Sequence, residues 1–157
     1  MRATFPSSVT VPTPDAGQDY PGWTVTETAN GVCLITDQRI QAVELTGALA
    51  AGVRRFLRAN NLSGPVIEIP GAERREIHLV VGAARAAMAI EALRGAGAIV
   101  HVDGASIPLP PTRLSTGSAC WGISPGESRW VPPVVALAAA VRATETCRRS
   151  HRTGMAC

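Results

Sequence analysis

The sequence predicts an α+β fold: a ferredoxin-like βαββαβ core with an N-terminal β-hairpin and a C-terminal helix. Three observations point there. Short Val- and Ile-rich runs alternate with two helical-period segments in the order strand, helix, strand, strand, helix, strand. Asn30-Gly31 sits between two strand-like runs ahead of this core, and Pro132-Pro133 opens a further periodic segment behind it. Such an order is the split βαβ pattern, an antiparallel sheet with both helices on one face.

Each element has its own local reason. Residues 1–21 are rich in Pro, Ser, Thr and Asp and read as a flexible lead-in. WTVTETA (23–29) alternates like a strand, and Val32 to Thr36 is its hairpin partner. Ile40 to Leu45 is the first core strand. Thr46 is placed to cap the helix GALAAGVRRFLRANN, in which Leu49, Val53, Phe56 and Leu57 share a face and Asn60-Asn61 close the end. PVIEIP (65–70) and EIHLVV (76–81) form a strand pair across the turn GAERR. An alanine-rich helix from Ala83 to Arg94 stops at Gly95, and Ala98 to Asp103 is the last core strand. IPLPP and SACWGI read as extended segments. The final helix has Val134, Leu137, Ala138 and Val141 on its apolar face. The domain boundaries expected are therefore 1–21 for the lead-in, 22–147 for one folded domain, and 148–157 for a basic disordered tail.

Bulk composition narrows the class. At 157 residues, 46% hydrophobic and 17% charged, the chain is long and apolar enough for one domain with a real core. All 15 basic residues are arginines, against 12 carboxylates. Arg148, Arg149 and Arg152 account for the whole excess of +3, so the body reads as neutral with a basic tail. Cys33, Cys120, Cys147 and Cys157 form no CxxC pair, so they read as thiols in a reducing compartment, mostly buried, with Cys157 exposed. No continuous apolar h-region follows Arg2, and no run approaches the roughly 18 residues of a membrane span. The expectation is a cytoplasmic protein without membrane contact.

Alternation along the core strands sorts residues onto two faces. With helices on one side, Val43, Leu45, Ile67, Ile69, Ile77, Leu79, Val81, Val100 and Val102 are expected to face them. The other face then gathers Glu44, Glu68, Glu76, His78, His101 and Asp103. Carboxylates and imidazoles together could hold a divalent cation or stand beside a phosphate. An uncovered sheet face must also be polar for solvation alone, so the pattern leaves both explanations open.

The stretch VHVDGASIPLPPTRLSTGSACW (100–121) carries a family resemblance. A strand leading through Pro110-Pro111-Thr112 to Gly117 and Trp121 resembles the end of the catalytic core in bifunctional DNA primase/polymerase (prim-pol) domains. The resemblance covers about residues 31 to 131 and implies an RRM-like sheet with catalytic residues on its open face. The family's carboxylate pair falls on Ala42 and Glu44 in QAVEL, and its small-x-His histidine on His78 in REIHLV. Its last aspartate falls near Ile99, with Asp103 four residues on. By this carry-over His78 would contact a nucleotide, and Glu44 and Asp103 would bind Mg2+ or Mn2+. Phosphoryl transfer depends on metals to neutralise charge, and of the three carboxylate positions only Glu44 falls directly on an acid.

The reading that results is a short, degenerate, non-catalytic prim-pol-like domain. It would bind nucleotide or nucleic acid on the open sheet face, with DNA or a replication protein as partner. Trp121 could stack a base, and Arg148, Arg149 and Arg152 could touch phosphate. One alternative is a ferredoxin-like protein-interaction or small-molecule sensing module. The other is a minimal metal-dependent primase/polymerase. Neither a Walker A motif nor a Gly-x-Ser-x-Gly elbow occurs.

Overall fold

The computed structural model describes residues 22–154 and is mixed α+β, with antiparallel sheets and four α-helices. The expected lead-in and Cys157 lie outside the described residues. The chain runs β1 (Val25–Thr28), β2 (Gly31–Ile35), β3 (Gln41–Thr46), α1 (Gly47–Ala59), β4 (Val66–Ile69) and β5 (Arg75–Val80). After a 3-10 turn come α2 (Ala87–Gly95), β6 (Ile99–His101) and β7 (Ser106–Leu109). Two short strands, β8 (Arg113–Leu114) and β9 (Gly117–Ser118), precede β10 (Cys120–Ile123), α3 (Pro125–Ser128) and α4 (Val134–Thr153).

Five strands form the central antiparallel sheet in the order β10-β4-β5-β3-β6. One face packs against the helices. Val43, Leu45 and Val80 meet Leu49, Val53 and Leu57 of α1, Leu93 of α2, and Val134, Leu137 and Val141 of α4. The apolar face expected for the last helix is thus the buried one. That helix packs against both α1 and α2, and a parallel bridge between Val81 and Pro133 starts it on the sheet. Gly52 lets α1 and α4 approach closely, because a Cβ there would collide with the Thr144 side chain.

The opposite face is not open. A second sheet, β1-β2-β7, lies over it and buries Ile67, Ile69, Ile77 and Leu79 against Leu34, Ile107 and Leu109. This cover corrects the expected orientation of two strands. Residues directly opposite across a ladder share a face. Val43 opposes His78, Leu45 opposes Glu76, and Glu68 opposes Glu76. Glu68, Glu76 and His78 therefore lie on the helix side, and the isoleucines of β4 and β5 lie under the second sheet. Only β3 and β6 keep the expected sense, with Val43, Leu45 and Val100 toward the helices.

Pro110-Pro111-Thr112 has a structural task in closing this cover. Val32 donates its N–H to Thr112 Oγ1 at 3.0 Å, and the Thr112 hydroxyl donates back to the Val32 carbonyl at 2.7 Å. Thr112 is buried, and it lies so close over Gly31 that no side chain fits there. The hairpin turn itself is Ala29-Asn30, with Thr28 opposite Gly31. At the other end of β2, Thr36 donates to the Val102 carbonyl (2.7 Å) and accepts from the Ala105 N–H (2.9 Å). Asp37 accepts from the N–H groups of Arg39 and Ile40, which lead the chain into β3.

Two further expectations are corrected. Residues 148–153 are not a disordered tail but the last turns of α4, because no Pro or Gly interrupts the helix before Gly154. Cationic side chains also suit a helix C-terminus. Cys120 and Cys147 are exposed and Cys33 half-buried, so none of these three thiols is a core residue. Thr46 does hold the N-cap position of α1, although its side chain makes no capping bond.

The close α1–α4 crossing makes Gly52→Ala a sharp test. Alanine is the better helix former by about 1 kcal/mol, yet the added methyl would meet Thr144. Urea denaturation should show a net loss of about 1–3 kcal/mol, the usual cost of overpacking. A stabilised variant would show that the helices can move apart freely.

Candidate anion-binding surface

The polar residues read from the strands separate into two clusters on opposite faces. On the second-sheet side, at the uncovered margin near β6, Glu44 sits between Arg75 Nε (3.3 Å) and His101 Nε2 (3.2 Å). Glu44 is nearly buried and His101 about a quarter exposed. On the helix side, Glu68 and Glu76 stand directly opposite each other on β4 and β5. Like charges so placed repel, and two arginines answer them. Arg54 of α1 reaches Glu76 Oε1 at 2.5 Å, and Arg74 reaches Glu68 Oε1 at 2.6 Å.

Behind that pair, His78 is 2% exposed, with Nε2 3.4 Å from Glu76 Oε2. The separation is within ion-pair range, but the two atoms are not aligned for a hydrogen bond. Burial alone would raise the Glu76 pKa. His78, Arg54 and Arg74 outweigh it and hold the carboxyl below its usual value of 4.5.

This arrangement does not assemble the site implied by the prim-pol resemblance. Glu44 opposes Ile77 and Val43 opposes His78, so Glu44 and His78 point to opposite faces of the sheet. His78 is sealed beneath the helices and cannot touch a nucleotide on a sheet surface. Asp103 is exposed after β6, in a shallow depression with Gln41 and Ala83 that Glu44 does not line. Ile99, at the position of the last aspartate, is 54% exposed. Both Glu44 oxygens already face a guanidinium and an imidazole, so a metal would have to displace them. No cluster of three or more His, Cys, Asp or Glu able to hold a metal occurs among the described residues. The residues present do not fit a two-metal site. Trp121 is half-buried, opposite Ile67, and packs against the core beneath the second sheet.

The structure instead gathers arginines on the helical side. α1 and α4 together carry seven arginines, Arg54, Arg55, Arg58, Arg142, Arg148, Arg149 and Arg152, against one carboxylate, Glu145. Elsewhere the described residues hold seven arginines against nine carboxylates. Arg55, Cys147, Arg148 and His151 line a groove of about 370 Å³ between the two helices. Glu145, Arg148, Arg149 and Arg152 line a smaller one alongside. Arg54, Arg58 and Arg74 line a separate cleft where α1 meets β4, β5 and β10.

Three of these arginines are the tail residues singled out in the sequence. The contribution of α1 was missed because a count over the whole body cancels its charge against carboxylates on other elements. The signal was present as RRFLR, three arginines within five residues of a helix that contains no acid. No family model, curated protein or solved structure matches the chain. Among the described residues no helix is long and apolar enough to cross a membrane.

The depressed Glu76 pKa has a definite sign. Its stabilising contribution is complete above 4.5 and is lost as pH falls through the lower folded-state value. Urea melts of wild type and Glu76→Gln should therefore differ most near pH 6 and converge as the pH falls below about 4.5. A gap that does not change with pH would remove Glu76 as the titrating group.

Proposed function

We propose that this chain is a non-catalytic nucleic-acid-binding domain of prim-pol-like ancestry. It grips the phosphate backbone with α1 and α4 rather than with its sheet. The observation that carries the reading is the groove in which Arg55 of α1 meets Arg148 and His151 of α4, flanked by Arg149 and Arg152. A polyanion is recognised first by concentrated cationic charge, and arginine suits phosphate through its planar fork of donors. A helix holds that charge in a fixed array, which costs less ordering on binding than a disordered tail.

The RRM-like, ferredoxin-like core belongs to the same proposal. Taken alone, β3, β4, β5 and β6 lie in the order β6-β3-β5-β4, all antiparallel, with α1 after the first strand and α2 after the third. That order supports the split βαβ reading. The separation of Glu44 from His78 supports loss of nucleotidyl transfer, which requires its metals and nucleotide on one side.

Fluorescence anisotropy of labelled single-stranded and duplex DNA tests this. Saturable binding is expected, weakening steeply with salt. Each arginine–phosphate contact removed should lower the log–log slope by about one, so Arg148→Glu/Arg152→Glu should lower it by about two. Glu44→Gln should leave binding unchanged. Loss of binding in Glu44→Gln, or full binding in the double variant, would return the site to the sheet. No binding by folded protein at low salt would favour a protein-interaction module.

A further inference from the structure

We propose that the cleft between α1 and the β4-β5-β10 edge is a separate site for a small organic phosphate: one phosphate group on a compact apolar body. The cleft holds about 430 Å³ and is lined by Arg54, Arg58, Arg74, Glu68 and Glu76, with Val66, Gly122 and Ile123 as its apolar wall. Its size lies at the small end of ligand sites, which suits a small molecule rather than a polymer.

The two glutamates do not cancel the site. Arg54 meets Glu76 through Nη1, and Arg74 meets Glu68 through Nη2. A guanidinium has five N–H donors, so each arginine keeps donors for a ligand while its carboxylate fixes its position. Arg58 is exposed and has no carboxylate within ion-pair distance among the described residues. It supplies the uncompensated charge, giving three cations against two anions around the cavity. Preorganised donors around one excess charge favour an anion of matching fork geometry, and phosphate provides it.

The wall has its own construction. β10 bulges at Gly122, where the register against β4 shifts between Trp121 and Ile123. A Cβ at Gly122 would come within 2.9 Å of Glu68 Oε1. Glycine therefore leaves Glu68 in place on Arg74 and lets Ile123 line the cavity beside Val66. A flat apolar body can lie there while its phosphate reaches the arginines. This site shares no residue with the α1–α4 groove, and the proposal does not depend on nucleic-acid binding.

Isothermal titration with phenyl phosphate and with inorganic phosphate, in low-salt buffer, tests the assignment. Phenyl phosphate should bind saturably and more tightly than inorganic phosphate. Arg58→Ala should weaken both by about tenfold, equivalent to roughly 1.4 kcal/mol. Ile123→Ala should weaken phenyl phosphate alone, and Arg148→Glu/Arg152→Glu should change neither. No saturable binding to folded wild type at millimolar ligand would overturn the proposal, as would binding indifferent to Arg58. Equal affinity for the two probes, or binding lost in the α4 double variant but not in Arg58→Ala, would also overturn it. The DNA titrations report on the groove separately, so either site can fail while the other stands.

Discussion

A sheet with large aliphatic side chains on both faces cannot leave either one in water. Val43, Leu45 and Val80 face one way, and Ile67, Ile69, Ile77 and Leu79 face the other. Each fully buried side chain of this size is worth about 1.5–3 kcal/mol, so covering both faces dominates any local preference. The helices seal the first face. The second is sealed by β1, β2 and β7, which come from both sides of the core in sequence. The hydrogen bonds of Thr36 and Thr112 tie that cover down at both ends of β2, and Asp37 shapes the turn from it into β3.

The longer elements were legible in the sequence because each rests on local chemistry: alternation in β3–β5, a turn signal before β2, and an apolar face with a clear opening in α4; the short β8, β9 and α3 were not. Which way β4 and β5 faced was not legible. Alternation assigns residues to two faces but gives the faces no names. The assumption that isoleucines meet helices fails once a second apolar layer is available. A single reversal then carried Glu68, Glu76 and His78 to the helix side. The segments that form the cover, around Val25, Leu34 and Ile107, were visible as strands, but no local signal said where they would dock.

The candidate sites follow the same division. Arg148, Arg149 and Arg152 could be read from sequence, since a basic cluster remains one in any conformation. Their assembly with Arg55 could not, because it needs the α1–α4 crossing at Gly52. Glu76 and Arg54 lie 22 positions apart and meet only when α1 lies over β5. Pro110-Pro111-Thr112, the motif that carried the family resemblance, serves closure of the second sheet. Packing alone accounts for the Thr112 position in that segment, whatever the resemblance implies.

The hydroxyl of Thr112 reaches Val32 across 80 positions of sequence, and that distance has a consequence during synthesis. The strands that carry the isoleucine face are complete once residue 101 has been made, but β7 and its threonine latch come later. A chain emerging from the ribosome thus holds four strands of the sheet, β3–β6, before β7, the edge strand β10 and the covering helix α4 have been made. Non-local pairing of this kind is slow, and exposed apolar sheet is what chaperones recognise and what aggregates. Both faces of the sheet are covered only once β7 and its latch, then β10 and α4, have followed.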